Sequence, residues 1–536
     1  MSFNHLHVHT AYSVLDGHGR IKDYVAVAKA DGQEALAITD HGSIAGAIEF
    51  YTACKEANIR PVLGCELYVD LDIQEKNFPF HLTVLAADLQ GYRDLIKVNT
   101  HAAKNFYYRP RVSLRELVDN NLMKHWIILT GCPSSPMNMA LRDGDETKAK
   151  LILQMLTKAS KGAAIEIMYH KIDGDPEFNQ VQSDLLHAAF ELSESMGNPL
   201  VLTNDCHYVG EADEQAHQTF LKAAEGRVHG IEFSGSGFFL KSQSDMRAIG
   251  DYLGQPDAVD NSGIIAEMCD LEIPEIEKPS WYVPSPVLNP SFEIHQRCNA
   301  ALKMSDEYMD RFMMEMAVIG TSEPIMNSYL VAADLVDWCH KQGIAATGRG
   351  SMAGSLVSYL LGITSEDPIR HNLNFKRAVN PARLTIPDFD IDVSSSRRGE
   401  VLDYIASKYP HSTPIASYSE RGIKGAVRMV MRALNYTVEQ TNEVAAQLIG
   451  VESSIDTDLE TVPSHVREVV RGYLGLYGNL TVHPAGILIS GPDRPLEDII
   501  PMGWIASSKQ LVCQFDMYSL KKIDMFKLDV LGLATL

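Results

Sequence analysis

Three aspartates alternate in the stretch "LTIPDFDIDVSSSRR", which runs from Leu384 to Arg398. Asp388, Asp390 and Asp392 are each separated by one apolar residue. Because alternate side chains of a strand point to the same face, we expect the three carboxylates to share one face of a strand. Negative charges at this spacing repel one another unless a cation lies among them. The stretch therefore predicts a strand that takes part in a metal site.

A second set of candidate metal ligands precedes residue 210, and each member lies at or just after a short apolar run. The set comprises His5, His7, His9, Asp16, Asp40, His41, Glu66, His81, Cys132, Asp205 and His207. The carboxyl ends of strands are where α/β folds build their sites, and imidazoles, carboxylates and a thiolate suit Zn²⁺ or Mn²⁺. Cys132 by itself is better explained as a small buried hydrophobe. The repeated occurrence at strand ends favours a metal cluster.

The segment "ATGRGSMAGSLVSYLLGIT", from Ala346 to Thr364, is typical of a strand, a glycine-rich turn and an apolar helix. Glycines let the backbone approach a ligand, and the helix N-terminus is expected to offer free N–H groups to a phosphate. A plain tight turn before a core helix is the alternative. Two arginines, Arg377 and Arg383, lie between this turn and the aspartates. A triphosphate site beside paired carboxylates indicates nucleotidyl transfer.

Length and composition describe a globular protein of several domains. The chain has 536 residues, 45% of them hydrophobic and 22% charged, and eight scattered cysteines without a CxxC pair. This predicts two to four domains in a reducing cytoplasm. Neither a membrane-length apolar run nor a signal peptide is evident. The net charge of −22 by itself argues against nucleic-acid binding, so the local charge distribution must decide.

The order of predicted elements changes at a proline-rich segment. Before it, strand-like apolar runs alternate with helix-like segments, which predicts a parallel α/β sheet or barrel. Residues 273–292 contain five prolines, at positions 274, 279, 284, 286 and 290, and are predicted to form a linker. Helical regions are expected at about Asn299 to Lys341 and Gly399 to Tyr477, with strand-like pieces "HPAGILIS" and "FKLDVLGL" after them.

Basic residues are concentrated between Arg397 and Leu434, a segment with seven basic and three acidic residues. Four of them, Arg421, Lys424, Arg428 and Arg432, fall at helical spacing and predict a basic stripe on one helix face. A solvated helix face is the ordinary explanation. The position between the two candidate catalytic strands favours a surface for the DNA backbone.

The segment before residue 210 resembles a PHP (polymerase and histidinol phosphatase) domain of the kind that opens bacterial C-family replicative DNA polymerases. The resemblance implies a distorted seven-stranded β/α barrel that holds up to three Zn²⁺ or Mn²⁺ ions and hydrolyses phosphoesters, as a 3′→5′ exonuclease. The nine ligand positions of the family fall on His7, His9, Asp16, His41, Glu66, His81, Cys132, Asp205 and His207. His5 is expected to be structural.

The ordered motifs GRGSMAGS, NPAR, PDFDID, HPAG, QFD and KLDVLGL resemble the alpha subunit of bacterial DNA polymerase III, and the likeness covers nearly the whole chain. It implies a nucleotidyltransferase palm, like that of polymerase beta, with a helical thumb insertion and two Mg²⁺ ions. Implied catalytic residues are Asp388, Asp390 and Asp529, and implied phosphate contacts are Gly350, Ser351, Arg377, Arg383 and Lys527. Asp392 is expected to support its neighbours and to pair with Arg397 or Arg398.

The implied domains are a PHP domain (1–272), the linker (273–292), the first part of the palm (293–420), the thumb (421–482) and the second part of the palm (483–536). In the family, fingers and C-terminal domains follow. We therefore expect either a fragment or a split or viral polymerase whose second chain carries the fingers and reaches the sliding clamp. Substrates would be primer–template DNA and dNTP, in the cytoplasm of a bacterium or of a viral host, without a membrane.

Two other functions fit part of the pattern. The first is a free-standing PHP exonuclease or phosphoesterase whose palm serves only as a scaffold. The second is a non-catalytic DNA-binding or assembly module with structural metals. The complete set of palm aspartates and the GRGS turn argue against an inactive palm.

Overall fold

A computed structural model of the protein describes residues 2–14, 16–71, 79–170, 176–224, 236–273, 284–301, 305–380, 384–448, 459–491 and 495–534. Arg383 and the first two linker prolines, Pro274 and Pro279, lie outside these residues. The chain forms two compact units. The first comprises Met1–Glu272, Tyr418–Thr481 and Pro501–Trp504, and the second Ile273–Ser417, Val482–Ile500 and Ile505–Leu536. Within the described residues, no helix is both long and apolar enough to span a bilayer.

The first unit is built on a mixed sheet with the strand order β1-β2-β3-β5-β6-β7, and β4 pairs with β2. Strand β3 is antiparallel to both of its neighbours, whereas the other pairs are parallel. The antiparallel strand interrupts the regular β/α alternation that the sequence predicts. The strands are β1 (Ala35–Ile38), β2 (Arg60–Asp70), β3 (Phe80–Ala86), β4 (Arg111–Ser113), β5 (Trp126–Leu129), β6 (Gly162–Met168) and β7 (Leu200–Thr203).

The extended segment around His5 to His9 connects the two ends of this sheet. His9 N donates to Cys206 O (2.7 Å), just beyond β7, and Ala37 N in β1 donates to His5 O (2.9 Å). These bonds curl the sheet into a distorted barrel, and the predicted fold class is confirmed. Apolar residues of the strands fill the barrel core, because strands covered on both faces must be apolar on both.

Helices cover the outside of the barrel strands. They are α1 (Ile21–Ala30), α2 (Ala47–Ala57), α3 (Leu89–Lys104), α4 (Leu114–Asp119), α5 (Pro136–Arg142), α6 (Glu146–Ala159), α7 (Pro176–Met196), α8 (Glu214–Ala224), α9 (Gln243–Tyr252) and α10 (Pro256–Met268). Several begin at side-chain caps, as where Asp88 accepts from Gly91 N (3.0 Å) at the start of α3. Such caps fix where each strand-to-helix loop ends.

The second unit packs helices against a second mixed sheet. Its helices are α11 (Pro290–Ala301), α12 (Asp306–Ile319), α13 (Glu323–Lys341), α14 (Leu356–Leu360) and α15 (Arg398–Lys408), and its first strands are β8 (Ala346–Arg349) and β9 (Phe389–Ser394). Helix α11 starts inside the predicted linker, because a proline is tolerated in the first turn of a helix. Helix α11 and the predicted linker thus overlap at residues 290–292.

The remaining elements run from residue 412 to the end. They are β10 (Ser412–Glu420), α16 (Ile423–Ala433), α17 (Val438–Gln447), α18 (Ser464–Tyr473), β11 (Tyr477–Ile489), β12 (Met502–Ile505), β13 (Gln510–Cys513), α19 (Met517–Lys522) and β14 (Lys527–Leu533). From β13 the sheet order is β13-β10-β11-β14-β9-β8. Strand β10 lies in a region that the sequence predicts to be helical, so that prediction was wrong there.

Helices α16 and α18 belong to the first unit, where they pack on α8. Their apolar faces form one buried cluster with Phe220 of α8, including Val427 and Val430 of α16 and Val466 and Val470 of α18. A helix retains its position when such an apolar face is covered. The segment predicted to be the thumb thus shares a core with the N-terminal part of the chain.

Candidate functional site

The nine predicted ligands of the first unit come together in one cluster at the loop ends of the barrel. Two come from the extended segment that connects the sheet ends, one from the loop after it, and six from positions in or just after barrel strands. They are His7, His9, Asp16, His41, Glu66, His81, Cys132, Asp205 and His207. The cluster is a consequence of topology, because strands that pair as neighbours place their ends side by side.

Glu66 lies at the centre of this cluster and is almost completely buried. Its Oε2 lies 2.7 Å from His41 Nδ1, and its Oε1 lies 3.2 Å from His81 Nδ1 and 3.6 Å from His7 Nε2. One carboxylate therefore contacts imidazoles from three separate segments, as a carboxylate shared between metal ions would.

Asp205 approaches the cluster from the opposite side. Its Oδ1 lies 3.2 Å from His9 Nε2 and 3.4 Å from His7 Nε2. Its backbone φ of 44° lies in the left-handed region. Residues other than glycine adopt this backbone conformation at a cost in free energy, and it occurs often at functional sites. Asp16 Oδ2 lies 3.2 Å from His41 Nε2, and Cys132 Sγ lies 3.5 Å from His81 Nδ1.

The donor atoms fit divalent cations. Among the described residues, Asp16 Oδ1, Glu66 Oε1 and Asp205 Oδ1 are buried without a hydrogen-bond donor, which is costly unless a cation takes the place of the donor. Three sets of residues each bring their ligand atoms within 4.8 Å of one another. They are His9, His41 and His207; His7, His9 and Glu66; and His41, Glu66 and His81. Nitrogen, oxygen and sulfur donors at these separations suit a multinuclear site.

Electrostatics within the cluster favour the charged forms of Asp205 and His7. Burial by itself would raise the pKa of Asp205, but the neighbouring imidazoles of His7 and His207 lower it well below its ordinary value. Conversely, burial would lower the pKa of His7, but Glu166, Asp205 and Glu66 raise it well above 6.5. The cluster without metal therefore carries imidazolium–carboxylate pairs that a cation must displace.

Sequence reasoning did not identify Glu166, which contacts the metal ligand His7. This residue lies in β6, a strand that contributes none of the nine ligands, and only 3% of it is exposed. Its Oε1 accepts from His7 Nδ1 (2.7 Å) and from Thr203 Oγ1 (2.7 Å). The bond turns His7 Nε2 toward the cluster, as carboxylate partners of metal-bound histidines do. The available signal was a charged residue inside the apolar run "AAIEIM".

Two other candidates serve the fold rather than the cluster. His5 Nε2 contacts Lys241 O at 2.8 Å, and burial lowers the pKa of His5 to about 4, which fits the predicted structural role. Asp40 accepts from Thr10 N (2.6 Å) and Ser13 Oγ (3.0 Å). It thereby stabilises the loop that carries Asp16.

In the second unit, the register of four strands places the catalytic candidates in one row. Asp390 of β9 pairs with Asp529 of β14 on one side and with Arg349 of β8 on the other. Asp529 in turn pairs with Gly486 of β11. Residues directly opposite on neighbouring strands share a face, so the two aspartates lie side by side. Asp388, on the same face, is exposed just before β9.

The charges around Asp390 reflect this row. Burial raises the pKa of Asp390, Arg349 and Lys527 oppose the rise, and Asp529 and Asp388 add to it. Lys527 Nζ lies 2.5 Å from Asp529 Oδ2. A cation bound between Asp390 and Asp529 would relieve the repulsion between these like charges.

The predicted triphosphate turn, residues 350–354, passes close to the carboxylate of Asp390. Gly350 has a φ of 72°, and a Cβ atom at this position would lie 3.0 Å from Asp390 Oδ2. Glycine is therefore required both for the backbone conformation and for the close approach. The backbone of Gly350 and Ser351 lies beside the aspartate row.

Family comparisons agree with both sites. The PHP domain model matches residues 5–170, and the model of the bacterial DNA polymerase III alpha NTPase domain matches residues 291–532. The DNA polymerase III subunit alpha of Mycobacterium tuberculosis (strain CDC 1551 / Oshkosh) is 30% identical over 610 residues, which cover 100% of this chain and 50% of that protein. That of Treponema pallidum (strain Nichols) is 31% identical over 575 residues, covering 100% and 48%.

Over its whole length, the chain is similar to bacterial DNA polymerase III alpha subunits. It spans about half the length of the curated relatives that it matches. The predicted resemblance is thus confirmed.

One expectation from the sequence, that the helix after the glycine turn offers free N–H groups, is wrong. Glu315 of α12 accepts from Leu356 N (2.9 Å) and Val357 N (3.0 Å) at the start of α14. Arg311 Nε donates to Glu315 Oε1 at 2.6 Å. A buried carboxylate thus caps the helix, and any phosphate contact must come from the turn itself.

Arg377 is exposed on a short turn formed by residues 375–377. This turn follows Asn374, whose carbonyl oxygen packs on Gly354.

The predicted partner of Asp392 is also corrected. Asp392 Oδ1 accepts from Arg349 Nε at 3.0 Å. Arg397 instead pairs with Glu400, and Arg398 donates to Val530 O at 2.9 Å. The strand register explains the difference, because Arg349 and Asp392 lie near each other across the β8–β9 pair.

The predicted basic stripe is shorter than the sequence indicates. Lys424 and Arg432 are exposed on α16, and Arg428 is half-buried. Arg421 precedes the helix and donates its Nη2 to Gly478 O at 3.2 Å. Three of the four basic residues therefore belong to the helix face.

Proposed function

We propose that the chain carries the catalytic palm of a DNA-directed DNA polymerase, which transfers a nucleotide from dNTP to a primer 3′-hydroxyl. The observation that carries this proposal is the pairing of Asp390 with Asp529 beneath the Gly350 turn. Two Mg²⁺ ions, when bound, would stabilise the attacking and leaving oxygens. Asp388, Asp390 and Asp529 would hold them, and the backbone of Gly350 and Ser351 would orient the triphosphate.

Basic side chains near the row have supporting roles in this proposal. Lys527, Arg377 and Arg383 would contact phosphates, whereas Arg349 holds Asp392 away from the metal positions through their 3.0 Å contact. The lysine and arginines balance the charge of the incoming triphosphate, which the carboxylates would otherwise repel.

Primer extension tests the assignment. We expect Asp388→Asn, Asp390→Asn and Asp529→Asn each to abolish extension, because each removes a negative ligand. The matched control is Asp392→Asn on the same strand face, which should retain measurable extension. Equal loss in all four variants would refute the ranking of these aspartates.

We further propose the domain assignment 1–272 (PHP), 273–292 (linker), 293–420 and 483–536 (palm) and 421–482 (thumb), with fingers and clamp contact supplied by a second chain. Coexpression with a fingers-bearing chain should restore extension if the 536-residue chain alone extends poorly. Robust extension by the chain alone would contradict the need for a partner.

The basic face of α16, formed by Lys424, Arg428 and Arg432, is proposed to contact the DNA backbone. Neutralising them together should weaken duplex binding uniformly across sequences and reduce its dependence on salt. The matched control neutralises Arg467 and Arg471 of α18, a helix of the same unit. An unchanged salt dependence in the α16 variant would argue for a merely solvated face.

A second activity, 3′→5′ exonucleolytic removal of mismatched nucleotides, is proposed for the PHP cluster with Zn²⁺ or Mn²⁺. It is supported by the buried carboxylate oxygens that lack a donor. When bound, such ions lower the pKa of a water molecule and stabilise a leaving oxygen. His7→Ala combined with His9→Ala should remove mismatch excision, whereas Asp390→Asn should retain it. Excision that survives the double substitution would refute this activity.

The same two assays separate the alternatives. A free-standing PHP phosphoesterase would excise but would not extend even with a fingers chain. A DNA-binding assembly module would do neither and would still bind metal.

A further inference from the structure

The metal cluster is open on one side. His81 is its most exposed ligand, with 24% of its side chain accessible, followed by Asp205 with 13% and His41 with 11%. The side chains of His7 and His9 are fully buried. The edge formed by His81 and His41, whose ring centroids lie 5.0 Å apart, is therefore one route by which a substrate can reach the cluster.

Tyr68 lies at this edge. Its ring is stacked on His41 with centroids 5.6 Å apart and meets His81 edge-on at 5.2 Å. The guanidinium carbon of Arg109 lies 5.4 Å above the same tyrosine ring. A cation–π contact of this kind fixes the position of the arginine while its donors remain available. Arg109 thus places a permanent positive charge beside the opening of an acidic cluster.

Arg109 belongs to a short segment, Phe106–Pro110, which we call the rim loop. Pro110 packs so closely on the loop after His41 that a Cβ on Gly42 would lie 2.7 Å from Pro110 Cγ. Next to the rim loop, Arg111 forms a buried ion pair with Asp70 at 2.8 Å. The rim loop is therefore anchored to two parts of the barrel next to the cluster.

Tyr108, at the tip of the rim loop, has two unusual properties. It is 66% exposed, and its φ is 58°. The other described non-glycine residues with positive φ are asparagines, aspartates and one lysine. A bulky side chain in this conformation is strained, and such strain is concentrated at binding and catalytic sites. Strain that holds an aromatic ring in solvent, next in sequence to the arginine that packs on Tyr68, indicates a binding role.

We propose that the rim loop binds the terminal nucleotide of single-stranded nucleic acid, with the base stacked on Tyr108 and a phosphate held by Arg109. Aromatic rings and arginines are the combination with which proteins hold single strands without reading sequence. The proposal deepens the exonuclease function and rests on it for its catalytic consequence. Binding by the rim loop can be measured independently.

The test uses the full chain and a short single-stranded DNA with 2-aminopurine at its 3′ end, whose fluorescence falls when the base stacks on an aromatic ring. We expect the unmodified chain to quench this probe. Tyr108→Ala should remove the quenching and raise the Kd about 5- to 150-fold, the range given by one base–aromatic stack. Arg109→Gln should raise the Kd and reduce the dependence of binding on salt.

A matched control is available in the same unit. Tyr252 is 72% exposed and lies against Tyr169 with ring centroids 5.3 Å apart, much as Tyr108 lies against Tyr107 at 4.7 Å. Tyr252→Ala should leave quenching and affinity unchanged. Tyr108→Gly suits the positive φ, so it should lose quenching without a fall in Tm, which separates binding from folding.

In the nuclease assay, Tyr108→Ala should raise KM for the oligonucleotide, whereas the control Tyr252→Ala should leave KM unchanged. Quenching and affinity in Tyr108→Ala equal to those of the unmodified chain would overturn the proposal, as would absence of quenching in the unmodified chain. If Tyr108-dependent quenching is present but nucleotides are not released, the rim-loop assignment stands and the exonuclease function fails.

Discussion

Replacing Glu166 by glutamine tests whether this residue orients and polarises His7 for metal binding. The substitution keeps an oxygen that can accept from His7 Nδ1 and Thr203 Oγ1, both 2.7 Å from Glu166 Oε1. It removes the negative charge behind the imidazole. Geometry is thus largely retained while the electrostatic contribution is lost.

The expected loss of metal affinity follows from these contacts. A partner of this kind contributes about 10- to 100-fold to metal affinity, or about 1.4–2.7 kcal/mol. The new amide NH2 group would lie at the Glu166 Oε2 position, which is buried and accepts no hydrogen bond from the described residues. An amide left there without an acceptor should also cost about 1–3 kcal/mol of unfolding free energy.

The dependence on pH provides a sharper criterion than affinity alone. Glu166 favours a proton on His7 as well as a metal ion, because it raises the pKa of His7. The deficit in the Glu166→Gln variant should therefore be largest at alkaline pH, where protons do not compete. The difference in metal affinity should become smaller as the pH falls. At low pH protons compete with the metal for His7, and they compete less strongly in the variant because its His7 also binds protons more weakly.

Competition with a metal chelator at several pH values measures this deficit, and chemical unfolding measures stability separately. Glu315→Gln is the control, because Glu315 is an equally buried carboxylate in the second unit. It should lower stability without changing metal affinity in the first unit. Unchanged metal affinity of Glu166→Gln at alkaline pH would refute the positioning role.

Three further outcomes are expected. Gly350→Ala should lose about 1–2 kcal/mol of unfolding free energy because of its positive φ, and its primer extension should fall because the new methyl group meets Asp390; normal extension would contradict the close approach. In chelated protein, the stability that His7 contributes is fully present below its unfolded pKa of 6.5 and is lost as the pH rises through its raised folded pKa, so Tm should fall at alkaline pH and recover with Zn²⁺ or Mn²⁺. Glu315→Ala removes the carboxylate partner of Arg311 and the acceptor of two helix N–H groups and should cost about 3–5 kcal/mol in thermal or chemical unfolding; a loss below 1 kcal/mol would mean that water replaces the cap.

Local patterns in the sequence were sufficient for the candidate ligands. Alternation in a strand places Asp388, Asp390 and Asp392 on one face whatever the strand pairs with. In the same way, His7 and His9 point to one side of an extended segment. The alternating α/β pattern also predicted a parallel sheet or barrel, because apolar runs of strand length between helix-like segments have few other packing solutions.

Strand β10 shows where local patterns fail. Its sequence "STPIASYSE" contains a proline and many small polar residues, and its burial alternates only weakly. Its pairing with β13 at Ile415 and Cys513 involves residues almost a hundred positions apart. Such a strand is stabilised by its neighbours rather than by its own propensity.

Only the tertiary structure decided which side chains act on one another. Glu166 contacts His7 across 159 positions, and Arg349 rather than Arg397 holds Asp392. Asp529 reaches Asp390 through the register of β14 on β9. A sequence fixes the side chains and the local direction in which each points, since these follow from backbone periodicity. Partners across strands depend on register and on the packing of distant segments, which are set by the free energy of the whole core rather than by any local stretch.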